Sequence, residues 1–280
     1  MSLLKSRRIL YILPIIVLLL VFIVVFSQIY PVGVDWLESF HSPGITQFRD
    51  HYKITDYEGV GWALFFLPHI FLPLELGNVI NFILNITLPL LVIRKYRGSW
   101  LAIAMTFTSP MFFDLMRTNN VDWLALVGFL LPAGWGITFL LTKPQVASGA
   151  ALVIWKRNNF HIKYLIPLVI LAGLSFLVFG NWLADLNSEA VRQSPWNFAP
   201  FPYMIPLGLY LLYEGWKADD EVIAAASTPF LMPYVAPYSF AGLLAVVAAK
   251  YPKSAAYVYI GFWCYFIIQS HRMDVMGIPL

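Results

Sequence analysis

Charge and cysteine are both scarce in this chain. The single cysteine, Cys264, excludes an internal disulfide and leaves the compartment unreadable from redox chemistry. Only 12% of the 280 residues are charged while 60% are hydrophobic, and the mean hydropathy is +0.72. A soluble domain carries about a quarter of its residues as charges. So few charges cannot cover a water-facing surface, so most of the chain must face lipid or other helices. No polar stretch is long enough for a separate soluble domain, and residues 1–280 read as one integral membrane domain. Phosphate-binding glycine loops, a His-Glu-x-x-His helix and a Gly-x-Ser-x-Gly elbow are also missing. The five histidines are scattered singly, so neither a metal nor a cofactor is indicated. No aromatic–basic strip points to nucleic acid, and the net charge of +3 bears on orientation instead.

What the chain has is long apolar runs. At about 20 residues per crossing there is room for roughly seven or eight spans, which predicts an all-α polytopic protein. Lys5, Arg7 and Arg8 precede the run Ile9–Ile29, too long for a cleaved signal and read as the first helix. The tract Gly59–Ile93 exceeds one span and contains Pro68, Pro73 and Glu75. It divides into an interfacial or re-entrant segment near Gly61–Phe71 and a span near Leu76–Ile93. Further spans are expected at Trp100–Phe113, Trp123–Leu141, Tyr164–Phe179, Phe201–Tyr213, Val222–Ala249 (broken by Pro229, Pro233 and Pro237) and Ala255–Ile268. The amphipathic piece Val146–Trp155 reads as interfacial or as a tight hairpin.

This threading puts Lys5, Arg7, Arg8, Arg94, Lys95, Arg97, Lys143, Lys156, Arg157, Lys163, Lys217 and Arg272 on the N-terminal side. Arg49, Lys53, Arg117, Arg192, Lys250 and Lys253 fall on the other. The positive-inside rule then places the N-terminus in the cytoplasm of a cell-membrane protein, with the loop 30–60 outside. In that loop Asp35 sits close to the end of the first helix. Its carboxylate could act as a general base on an acceptor held at the membrane surface; residue types alone favour the other reading, a cap on a short helix over Trp36–Phe40. Asp122 lies near the start of a span, where it is either a buried functional acid or a solvated headgroup-level residue. Arg117 and Arg192 are either phosphate ligands or interfacial anchors.

The order of four motifs resembles the GT-C superfamily of membrane glycosyltransferases, in particular the bacterial polyprenol-phosphate-mannose-dependent mannosyltransferases. They are Val34-Asp35-Trp36; the tract from Tyr57-Glu58-Gly59 through Pro68 to Leu74-Glu75-Leu76; Arg117-Thr118-Asn119-Asn120-Val121-Asp122 with the following span ending Lys143-Pro144-Gln145; and Ser227-Thr228-Pro229-Phe230 with Pro233-Tyr234 and Pro237-Tyr238. Tyr238 stands in a late motif where many relatives carry histidine, and the chain is shorter than typical members.

The resemblance implies an inverting transfer of a hexose such as mannose from a polyprenyl-phosphate donor to an acceptor on the outer face. Asp35 would be the base. No family motif assigns the donor-phosphate and substrate ligands; the candidates among this chain's residues are Arg117, Arg192, Lys53, Asp122 and Tyr238. The expected partners are membrane lipid, the polyprenyl-phosphate sugar and further membrane proteins. Two other readings of the same composition are a non-catalytic membrane subunit and a lipid or small-solute carrier.

Overall fold

The computed structural model describes residues 25–42, 44–185 and 197–276, and every regular element in them is helical. The protein is all-α. The expected first helix lies outside the described residues apart from its end, where Tyr30 donates to the Met116 carbonyl (2.7 Å). The principal helices are α1 (Leu74–Lys95), α2 (Trp100–Phe107), α3 (Pro110–Thr118), α4 (Trp123–Leu130), α5 (Ala133–Leu140), α6 (Pro144–Arg157), α7 (Ile166–Phe179), α8 (Ile205–Ala218), α9 (Glu221–Leu231), α10 (Ser239–Lys250) and α11 (Pro252–Met276). Before α1 come a π-helical turn at Trp36–Phe40, three 3-10 turns (Ile45–Asp50, Gly61–Phe66 and Pro68–Phe71) and a single α-turn, His51–Ile54. The segment between the first helix and α1 is therefore short-turned and irregular, as its prolines require.

Two of the expected spans prove to be broken. Thr108-Ser109-Pro110 divides Trp100–Phe113: the Ser109 hydroxyl accepts from Phe112 N (3.1 Å) and caps α3, with Pro110 in its first turn. Leu131-Pro132 divides Trp123–Leu141 into α4 and α5, which fold back on each other. Gly128 makes that hairpin tight, since a Cβ there would lie 2.7 Å from the Gly136 carbonyl oxygen. Each arm has 8 residues, a rise of about 12 Å, well short of the roughly 30 Å hydrocarbon core. The chain thus returns to the end of the helix bundle it started from. Among the described residues, Leu74–Lys95 and Ile162–Phe179 are long and apolar enough to cross a membrane, and Glu221–Leu231 and Ser239–Lys250 are shorter apolar helices.

Val146–Trp155 is not a surface segment either. It forms most of α6, whose Val146, Ala147, Gly149, Ala150, Ala151 and Val153 are buried. Small residues let α6, α8 and α9 approach closely. A Cβ on Gly149 would lie 2.0 Å from the Ala224 oxygen, and one on Gly215 2.6 Å from Ala224 N. Gly149 N also donates to the Thr228 hydroxyl (3.0 Å).

The helices leave two ends. At one, Arg157 pairs with Asp219 and Glu221, Tyr96 donates to Glu221, and Lys250 pairs with Asp220, which caps α9 through Val222 N and Ile223 N. At the other lie residues 31–42 and 44–60, the α3–α4 turn, Lys143 and the α9–α10 break. Lys143 lies at the end opposite to its expected one because the α4–α5 hairpin turns back just before it. Lys250 does so because the expected span Val222–Ala249 is two arms, α9 and α10, that run out and back and bring Lys250 to Asp220. A Gly149→Ala variant should lose about 1–3 kcal/mol of stability, read as a lower midpoint of thermal unfolding in detergent.

Candidate functional site

The site begins with three asparagines in an apolar helix. Asn78, Asn81 and Asn85 recur at helical spacing on one face of α1, and all are buried. Uncompensated, each buried amide costs about 1–3 kcal/mol, and each finds partners in the α3–α4 turn. Asn119 ends α3 in the left-handed conformation (φ 51°, ψ 44°), which asparagine tolerates better than most residues. Its Nδ2 donates to Asn78 O and Oδ1 (both 2.7 Å), and its Oδ1 accepts from Asn81 (3.0 Å) and Asn85 (3.1 Å). Asn85 also donates to the Asn120 carbonyl (2.7 Å), and Trp123 Nε1 donates to Asn81 Oδ1 (2.7 Å).

The same ladder holds the first loop. Gly33 N donates to Asn78 Oδ1 (3.0 Å), and Asn78 Nδ2 donates to the Pro31 carbonyl (3.1 Å). Glycine is required at 33, since a Cβ would lie 2.4 Å from that of Asn119. Trp36, fully buried, stacks on His69 (5.1 Å between centroids) and donates to the Leu74 carbonyl (3.2 Å). Asp35 is fixed between these two anchors. It makes no side-chain cap on the Trp36–Phe40 turn, so the capping alternative does not hold. Its Oδ2 accepts instead from Asn120 Nδ2 (2.6 Å).

Asn120 is the junction. Its Nδ2 also donates to the Tyr238 hydroxyl (2.9 Å), which itself bonds Asp35. Its Oδ1 accepts from Lys143 Nζ (2.7 Å) and from Val121 N (2.7 Å). Lys143, with 13% of its side chain exposed, lies 3.7 Å from Asp122 Oδ2 and 5.8 Å from the Tyr238 ring centre. Asp122 is buried, its Oδ1 accepting from Ser239 (2.8 Å). It is thus an internal partner of a lysine and a serine, not a solvated headgroup-level residue. Burial raises the Asp35 carboxyl above its ordinary range; Asn120, Lys143 and Tyr238 oppose that shift and Asp122 adds to it.

Two clefts meet at this cluster. One, of about 370 Å³, is lined by Asp35, Asn120, Lys143, Gln145, Tyr234, Tyr238 and the segment Asp56–Val60. The other, of about 250 Å³, is lined by Asp35, Glu38, Asp114, Arg117, Tyr234 and Tyr238. Asp35 and the two tyrosines form walls of both. Arg117 borders the second cleft and pairs with Asp114 (2.9 Å). Lys53 does not join the site: it is 74% exposed and pairs with Asp50 (3.0 Å). Arg192 lies outside the described residues. Among the described residues no three His, Cys, Asp or Glu side chains converge as metal ligands.

Sequence reasoning therefore reached Asp35, Asp122, Tyr238 and Arg117 but passed over Asn120 and gave Lys143 to the wrong side. The signal for the first was the asparagine spacing within an apolar run. The signal for the second was Pro132, in the middle of a presumed span.

The loop that carries Asp35 has its own pH sensitivity. Burial lowers the His51 imidazole to about 4, against a weaker opposing effect of the Ser39 carbonyl, to which Nε2 bonds at 2.9 Å. The folded loop thus holds His51 neutral where the unfolded chain protonates it. Its contribution is intact above about pH 6.5 and is lost progressively as pH falls toward 4. Protection of Asp56 N, which bonds the Glu38 carbonyl, measured as the exchange rate relative to the intrinsic rate at each pH, should fall across that window. His51→Gln should show a smaller fall.

Comparison of the chain with protein-family models, with curated proteins and with solved structures finds no match.

Proposed function

We propose that this is an inverting, GT-C-like glycosyltransferase of the cell membrane, moving a hexose from a polyprenyl phosphate to an acceptor hydroxyl. The observation that carries the reading is Asp35. It is a half-buried carboxylate with a raised pKa, aimed by Asn120 and Tyr238 into the wall between two clefts, with Lys143 one hydrogen bond further on. The motif order set out above adds the resemblance to that superfamily.

In this mechanism Asp35 takes the proton of the acceptor hydroxyl as its oxygen attacks the anomeric carbon. The bond from that carbon to the donor phosphate oxygen breaks on the opposite face, and the electron pair leaves with the polyprenyl phosphate. A carboxylate whose pKa is raised is a stronger base once ionised. Lys143, in the larger cleft, supplies positive charge toward the leaving phosphate. Lys143 takes this role in place of Lys53, which points away from the site. Asp122 balances the Lys143 charge while the phosphate is absent.

A polytopic membrane arrangement fits the exterior. α7 exposes Val169, Ile170, Leu174 and Leu177, α8 exposes Leu209, Tyr210 and Tyr213, and α11 exposes Ile260, Phe266, Ile267 and Ile268. Such apolar surface is stable against lipid and costly against water. Re-sorted by helix ends, Arg94, Lys95, Arg97, Lys156, Arg157, Lys217, Lys250 and Lys253 share the end opposite the site. Arg49, Lys53, Arg117 and Lys143 share the site end. On the positive-inside rule this bias supports an outer face for the Asp35 end.

Two tests follow from these roles. In vesicles supplied with a polyprenyl-phosphate hexose, Asp35→Asn should lower the transfer rate about 10²–10⁴-fold and Lys143→Met about 10²–10³-fold. Unaltered transfer by Asp35→Asn would falsify the mechanism. Stability should move the other way. An ionised, half-buried Asp35 destabilises the folded state at neutral pH, and its raised pKa makes that cost fall as pH falls. Asp35→Asn should therefore unfold at a higher temperature than wild type at pH 7, with the gap closing in acid.

A further inference from the structure

Asn120 has one amide and four polar neighbours, and the arrangement leaves that amide a single orientation. Two donors, Lys143 Nζ and its own chain's Val121 N, converge on Oδ1 at 2.7 Å each. Neither can bond an N–H, so the Nδ2 side must face Asp35 and Tyr238, where it donates at 2.6 and 2.9 Å. The backbone is held as firmly, because Asn81 and Asn85 both donate to the Asn120 carbonyl. Asn120 is itself buried, and the bonds that fix it come from α1, from the turn it occupies and from the start of α6.

We propose that Asn120 is the positioning residue of this site: its locked amide aims the Asp35 carboxylate, keeps it ionised and couples it to Lys143. The inference rests on the transferase reading for its meaning in catalysis, but its physical content belongs to the Asp35 carboxylate alone. Without Asn120, Asp35 would keep only the Tyr238 hydroxyl and the field of Lys143 against the effect of burial. The other charged groups lining the two clefts are predominantly acidic: Glu38, Asp56, Glu58 and Asp114, with Arg117 paired to Asp114. Behind Lys143, the buried Asp122 adds a charge that favours a protonated Asp35. Asn120 is the neutral donor that works against these charges, and the amide does so without adding a second cation that would neutralise the base.

The distinction from a packing role lies in the Asp35 titration. It is read by infrared spectroscopy of the carboxyl band in the full-length protein in vesicles, with the Asp35→Asn spectrum subtracted. Asn120→Ala removes one charge-assisted hydrogen bond and should raise the midpoint by about one pH unit or more. Asn120→Asp keeps the shape and the bonds from Lys143 and Val121 but sets a second carboxylate against the first, and should raise it further. With a polyprenyl-phosphate hexose as substrate, the acid limb of kcat should move in the same order, with KM for the donor changing less than kcat. Tyr238→Phe, which removes the hydroxyl that bonds both residues, should raise the midpoint too, so a poorly folded Asn120→Ala leaves two further readings. Midpoints of Asn120→Asp and Tyr238→Phe that coincide with wild type would overturn the proposal. A shifted midpoint in a protein that transfers no hexose would leave the role of Asn120 standing and remove the proposed reaction.

Discussion

A buried amide inside an apolar helix has to be answered by another polar group, and that demand organises this protein. Asn78, Asn81 and Asn85 would each be an expense in α1 if left alone. Together they bind both segments on which the site depends. One is the Pro31–Gly33 stretch that leads into Asp35, and the other is the left-handed turn of Asn119 and Asn120. Apolar contacts would tolerate sliding between these pieces, because dispersion and burial are not directional. Hydrogen bonds of 2.6–3.2 Å from three successive asparagines fix the register. The absence of a Cβ on Gly33 then allows the two segments to touch.

From that register the site geometry follows. Trp36 pins one side of Asp35 to the start of α1, and Asn120 takes the other. Lys143 reaches the same point because the α4–α5 hairpin folds back, bringing the start of α6 beside the α3–α4 turn. Tyr238 arrives from the α9–α10 break, whose prolines release the backbone between two apolar helices. The site is thus assembled from four separate regions of the chain, each delivered by a turn or a helix break. Helical rods of uniform length would have carried Lys143 to the far end, beside Arg157 and Lys156.

Much of the fold was legible residue by residue. The all-α class, the irregular Gly61–Phe71 stretch, α1, α7 and the proline break after α9 appear close to where composition and punctuation put them. The errors cluster at helix breaks. Ser109-Pro110 and Leu131-Pro132 each lie inside runs apolar enough to pass for single spans, and hydropathy is blind to a reversal within such a run. The misplacement of Lys143 follows from the α4–α5 reversal and that of Lys250 from the α9–α10 one, while α6 runs from end to end and so returns Lys156 and Arg157 to their expected place. The burial of α6 was hidden for a related reason. Its Gly149, Ala147 and Ala150 look weakly amphipathic in isolation, and only the closeness of Ala224 makes them an interface.

The sequence by itself determined what kind of surroundings each segment needs, because hydropathy, proline and glycine act locally through solvation and backbone sterics. It also marked Asp35, an acid just past the first long apolar run in a chain that has few acids. Only the tertiary structure decided whom Asp35 meets. Asn120, Lys143 and Tyr238 are 85, 108 and 203 positions away, and no local preference records a hydrogen bond across such distances. Their convergence depends on the total of every reversal between them, a property of the packed chain and of no single segment.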